Sequence, residues 1–225
     1  MKRRSKIGKK SSAAAAAKEQ LDRRAQGPRE RIMAAALDLF YRQGYANTSV
    51  DQVIEQAGAY KKSFYRYFPT REDLGREYLN AQSEFFFSFF TGMLERHPEF
   101  KDFLKAWMRI LRREVRVGVF LGCPFAFFAA EAKGQIAGRA DFDRSLERIV
   151  ARRRRLLSDY LRACDVDGQA LPAGFPVRDL ADRIILIYQG GISLFAMSRD
   201  DIYIRRLERE IAFAVDASVT TFRES

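Results

Sequence analysis

Residues 44–74 read GYANTSVDQVIEQAGAYKKSFYRYFPTREDL, and their punctuation decides the fold. Thr48 and Ser49 are both good helix caps, and Ser49 stands three residues before Gln52, the spacing of a capping box. A helix that starts there has Val50, Val53, Ile54 and Ala57 on one face, and Gly58 stops it. The pattern predicts a further helix from about Tyr60 to Phe68, with Phe64 and Phe68 on one side. Pro69 disfavours helical backbone at Phe68 and sets the break. Thr70 caps the next helix from Arg71, whose first turn holds Glu72 and Asp73, where the macrodipole favours acids. Two short helices separated by about three residues with a Gly make a helix-turn-helix pattern, although an ordinary αα-hairpin has the same spacing.

Two features separate these alternatives. The helix after Gly58 opens with Lys61 and Lys62, where the macrodipole disfavours cations by roughly 0.3–1 kcal/mol each. A phosphate backbone or a guanine edge would compensate. Ser63, Tyr65, Arg66 and Tyr67 on the same helix can all hydrogen-bond phosphates, while Phe64 and Phe68 hold it to a core. N-terminal to this stretch, Pro28 suits a first helical turn. Ile32, Ala35, Ala36, Leu39 and Phe40 then form one apolar stripe, and Gly44 ends it.

The 225 residues carry 40 Lys and Arg against 29 Asp and Glu, a net charge of +11. Residues 1–27 hold nine basic residues against two acids, so they supply most of the surplus. Met1 to Ser12 has little to bury and is expected to be disordered, and the Ala-rich Ala13 to Arg24 is a marginal helix. This arm reads either as a phosphate or minor-groove contact or as a solvated tail. One His and two Cys exclude a zinc cluster of ordinary spacing and a disulfide scaffold. Isolated Cys123 and Cys164 fit a reducing cytoplasm. No run of 18 apolar residues marks a membrane span, and the alanine run does not resemble a secretory signal.

From residue 75 onward the helical signature continues, so the expected class is all-α. The expected helices run over about 71–96, 100 to the Gly118–Gly122 junction, 124–135, one capped by Asp141, 177–199 and 200–223, with residues 166–176 as a loop. His97 beside Pro98 reads as a turn residue. No Gly-rich phosphate loop and no Ser/His/Asp set is present, so neither catalytic residues, nor a cofactor, nor a metal is expected. Arg152 to Arg155 fan over roughly 300° of a helix and cannot share one partner. Arg153 lies on the apolar stripe, four residues from both Ile149 and Leu157. It either faces a cavity and selects an anionic group, or pairs internally, for example with Glu131, or snorkels.

The run from Gly44 through Thr48, Ser49, Gly58, Lys61, Phe64-Tyr65-Arg66-Tyr67-Phe68 to Leu74 resembles the DNA-binding domain of TetR-family transcriptional regulators, with residues 28–74 covered. The resemblance implies that Lys61, Lys62 and Tyr65 reach base edges, and that Ser49, Ser63, Tyr67 and Arg71 hold phosphates. Tyr60 and Lys62 depart from it: the family usually has a capping residue at the first position and often a small residue at the second. The resemblance also implies a C-terminal ligand-binding and dimerisation domain over residues 75–225. Its cavity would lie among the middle helices, with Trp107, Met108, Phe125, Phe128 and Tyr188 as candidate walls beside Arg153, and an apolar or aromatic effector.

Cys123, in a Gly-Cys-Pro-Phe turn like that of some relatives, is either an electrophile-sensing thiol or a small buried hydrophobe. The last two helices would pair with those of a second chain, helped by small Gly190, Gly191, Ser193 and Ala196. Such a two-fold dimer sets two reading helices about 34 Å apart and implies a palindromic double-stranded operator. The expected protein is a cytoplasmic homodimeric repressor released by a small effector. The alternative is a sequence-tolerant architectural protein that binds DNA through its basic arm.

Overall fold

The computed structural model describes residues 27–131, 139–166 and 168–224. The basic arm therefore lies, apart from Gly27, outside the described residues, as does the end of the helix expected to reach Gln135. The described chain divides into two units between Tyr78 and Leu79.

In the first unit, α1 (Pro28–Arg42) starts on Pro28 and buries Ile32, Ala35, Ala36 and Phe40. The Ser49 hydroxyl accepts from the Gln52 N–H at 3.2 Å, and the Gln52 side chain accepts from the Ser49 N–H at 2.8 Å. This capping box opens α2 (Val50–Ala57). Gly58 closes α2 with φ of +55°, a left-handed conformation that glycine adopts without a Cβ penalty. α3 (Lys61–Tyr67) is held by Phe64 and Phe68, both essentially inaccessible. A second reciprocal cap opens α4 (Arg71–Arg96): Thr70 and Asp73 each receive the other's backbone N–H at 3.0 Å. The Thr70 hydrogen bonds hold the Asp73 carboxyl below its ordinary range. The first unit extends past the expected boundary at residue 74 because Leu74 and Tyr78 are core residues, with Tyr78 edge-on to Phe40.

The second unit contains the rest of α4, then α5 (Phe100–Arg116), α6 (Pro124–Glu131) and α7 (Arg139–Ala163). A two-stranded ladder follows, β1 (Asp165–Val166) with antiparallel β2 (Gln169–Ala170), and then α8 (Val177–Ser198) and α9 (Ile202–Glu224). α8 packs along α7 and α9, and α9 also packs on α5. Four sequence expectations change here. Asp141 lies inside the first turn of α7, which begins at Arg139, and ion-pairs with Arg144 rather than capping. The loop after α7 contains the short ladder, an exception to the all-helical pattern.

Gly190, Gly191, Ser193 and Ala196 do not form one small surface. Gly191 faces Leu207 of α9 in the same chain and Ala196 lies against Gly122, whereas Gly190 opens outward. Adjacent helical residues differ by about 100°, and that rotation turns Gly191 onto α9 and Gly190 away from it. Finally, α8 is long and apolar enough to cross a membrane by length and composition, although no unbroken apolar run marks it. One side of α8 is core, and the other exposes Leu186, Leu194 and Met197.

Candidate functional site

α2 and α3 present one polar face. Ser49, Asp51, Lys61, Lys62, Tyr65 and Arg66 are exposed on it, and Ser63 and Tyr67 are half-buried. Burial of Phe64 and Phe68 fixes which side of α3 turns outward, and Arg66 lies 5.5 Å over the Tyr67 ring. Tyr60 stands at the α3 cap position with no side-chain cap bond and is 82% exposed. Lys61 ion-pairs with Asp51 at 3.4 Å. Arg71 is directed elsewhere than the exposed face. It donates to the Tyr45 and Ala46 carbonyls and lies 4.1 Å over the Tyr45 ring. It thereby ties the turn before α2 to the start of α4. Burial pushes the Tyr45 phenol up to about 12.

The second unit has an aromatic interior. Trp107 meets Phe90 at 5.2 Å, Phe103 at 5.6 Å and Tyr188 at 4.4 Å. Phe86, Phe90, Phe103, Trp107 and Arg153, with aliphatic groups of α4, α7 and α8, line a pocket of about 40 Å³. Arg153 lies 5.2 Å from the Phe86 centroid, and among the described residues it has no carboxylate partner, Glu131 included. Burial raises the Tyr188 phenol pKa, and the nearby Arg153 charge opposes that shift. Burial also raises the pKa of the Glu114 carboxyl. The other arginines of the run diverge as helix geometry requires: Arg152 goes to Glu84 and the Phe87 ring, and Arg154 to Asp182. A larger, more open depression of about 370 Å³ lies between Phe175, Arg183 and Phe222.

Residues 32–78 match the family of bacterial regulatory proteins named tetR. The transcriptional regulator TcmR of Streptomyces glaucescens is 28% identical over 143 residues, covering 62% of this chain and 55% of the relative. LmrA of Bacillus subtilis, also a transcriptional regulator, is 31% identical over 105 residues, 46% of this chain and 56% of the relative. The chain thus spans about half the length of these curated relatives. The crystal structure of a TetR-family regulator from Streptomyces coelicolor superposes with a TM-score of 0.72 at 16% identity, covering 85% of this chain and 96% of that one. Residues 32–78 thus carry the domain that defines the tetR family, and the described chain shares the fold of TetR-family regulators.

Of the seven residues expected at DNA, Ser49, Lys61, Lys62 and Tyr65 are exposed and Ser63 and Tyr67 half-buried on α2, α3 or the α2 cap, whereas Arg71 turns toward the Tyr45 carbonyl. Of the six expected pocket residues, only Trp107 and Arg153 line the cavity. Tyr188 lies behind Trp107, and Met108 is sealed in the core. Phe125 is buried with its ring 6.1 Å from Phe86, and Phe128 packs on Phe142. Phe86, Phe90 and Phe103 were missed. The phenylalanine run of residues 85–90 was visible, but which rings point inward depends on the rotation of α4. Cys123 is half-buried immediately before α6, where its carbonyl accepts from the Phe127 N–H. Among the described residues no cluster of His, Cys, Asp and Glu could hold a metal.

Proposed function

We propose that this chain is a homodimeric transcriptional repressor of the TetR family, acting in the cytoplasm, whose two α3 helices read a palindromic operator and whose second unit takes up a small aromatic effector. The observation that carries the reading is the α2–α3 face. Two buried phenylalanines fix a seven-residue helix, placed between two helices that each open on a reciprocal cap, so that two lysines, a tyrosine and an arginine all stand outward. A helix so presented suits the major groove, with Lys61, Lys62 and Tyr65 toward base edges and Ser49, Ser63 and Tyr67 toward phosphates. Arg71 then acts by orienting the turn before α2.

The second copy meets the exposed stripe of Leu186, Gly190, Leu194 and Met197 on α8, with Phe213 of α9. Met197 is 83% exposed and Phe213 69% in the single chain, a cost that a four-helix interface removes. The effector site is the pocket against Trp107. At about 40 Å³ it is far below the roughly 300–1,000 Å³ of drug-sized sites. A ligand must therefore displace the Phe86, Phe90 or Trp107 rings, so the closed packing and the liganded packing are alternatives. Differential affinity for the two is what shifts DNA binding. Arg153, a cation without a carboxylate partner among the described residues, favours an aromatic effector that carries an anionic group.

The test is a footprint of the protein on DNA flanking its own gene, at near-physiological salt with competitor DNA. A short protected palindrome supports the reading. Diffuse protection that weakens steeply with salt and disappears with residues 1–27 favours the basic-arm alternative instead.

A further inference from the structure

The two adjacent lysines of α3 are not equivalent. Lys61 is paired at 3.4 Å with Asp51, the second residue of α2, while Lys62 has no ion-pair partner among the described residues. The paired side chains are largely open, 65% and 79% exposed, so the pair contributes little to folding. Its placement has a larger effect on binding. A carboxylate on a face that approaches phosphates weakens attachment to any duplex and competes with phosphate for Lys61. It also adds a chemistry that lysines lack. A carboxylate only accepts hydrogen bonds, and cytosine N4 is a major-groove donor that matches it. An ammonium only donates, and guanine O6 and N7 match it. A G·C pair displays those acceptors beside that donor on one edge. The Asp51–Lys61 pair displays their complement.

We propose that Asp51 is a specificity-determining residue. Together with Lys61 it reads one G·C pair in each half-site, Lys61 donating to guanine and Asp51 accepting from cytosine N4. Asp51 also restrains Lys61 from the phosphates of unrelated DNA. The inference rests on α3 being the DNA-facing helix.

The test titrates the full-length wild type, Asp51→Asn, Asp51→Ala and Lys61→Ala against the duplex that wild type selects from a randomised pool. Each protein is also titrated against every single-base-pair variant of that duplex and a scrambled duplex, over a range of salt. Wild type is expected to lose on the order of 10- to 100-fold when one G·C pair per half-site is replaced. In Asp51→Ala and Lys61→Ala that position becomes indifferent. In Asp51→Asn its preference weakens or moves toward adenine, the base that an amide reads. Both Asp51 variants bind the scrambled duplex more tightly, with a log–log salt slope steeper by about one because Lys61 is released to phosphate.

The inference is overturned if the Asp51 variants keep the wild-type base profile and slope. Uniform weakening on every duplex overturns it as well, because it assigns Asp51 to supporting α2. A wild type that selects no sequence at all removes the DNA-reading assignment of α3, and the inference with it. The wild-type arm therefore separates the two failures.

Discussion

The close crossing of α8 and α9 rests on Gly191, and replacing it with alanine measures how close that crossing is. A Cβ on Gly191 would stand 2.4 Å from Leu207 Cδ2, 2.9 Å from Cγ and 3.2 Å from Cδ1. Leu207 is itself only 2% exposed, so its side chain has no open space to enter. Two effects oppose each other. Alanine in a helix interior is intrinsically better than glycine by about 1 kcal/mol. Forcing a methyl group into a packed contact costs about 1–3 kcal/mol, through an off-rotamer leucine or a parting of the helices. The contact distances are short enough that the second effect wins, and Gly191→Ala is expected to destabilise by about 1–2 kcal/mol. Urea unfolding followed by circular dichroism, at one fixed protein concentration, reads the change as a lower midpoint with an unchanged slope. Leu207→Ala should cost less in the Gly191→Ala background than in the wild type, because it makes room for the new methyl. A Gly191→Ala protein as stable as wild type, or more stable, would refute the crossing as described.

Four other expectations follow from the same geometry. Ser49→Ala removes half of the capping box that opens α2 and should cost about 1 kcal/mol in thermal or urea unfolding. Burial raises the Glu114 pKa, so the folded chain holds that proton more strongly than the unfolded one. The resulting stability is present in acid and lost as pH rises from the ordinary glutamate range through the raised value, and Glu114→Gln should flatten that part of a stability–pH profile. Arg153→Met keeps the aliphatic stem but removes the cation; calorimetric titration should find carboxylate-bearing aromatic effectors no longer preferred over neutral isosteres, and an unchanged preference would remove Arg153 from effector selection. Leu186→Glu with Phe213→Glu should yield folded monomers in sedimentation and lose tight operator binding, whereas an intact dimer would place the interface elsewhere.

The parts of this fold legible in the amino-acid order are those governed by chemistry within one helical turn. Ser49 with Gln52, Thr70 with Asp73, Gly58, and Pro69 each act on backbone groups no more than about four residues away, so the helix-turn-helix and most helix ends could be read directly. Phe64 and Phe68 determine the outward face of α3 by spacing alone.

Tertiary structure decided the rest. It separated Gly190 from Gly191, turned Arg71 toward the Tyr45 carbonyl, and brought Asp51 to Lys61 across a turn. It chose Phe86, Phe90 and Phe103 over Phe125 and Phe128 as lining of the pocket, and left that pocket small. These outcomes depend on the rotation and separation of helices that are distant along the chain. A helical stripe is about 100° or more wide, which limits a residue to the buried side but not to a particular neighbour. Packing of four helices against one another supplies the remaining choice.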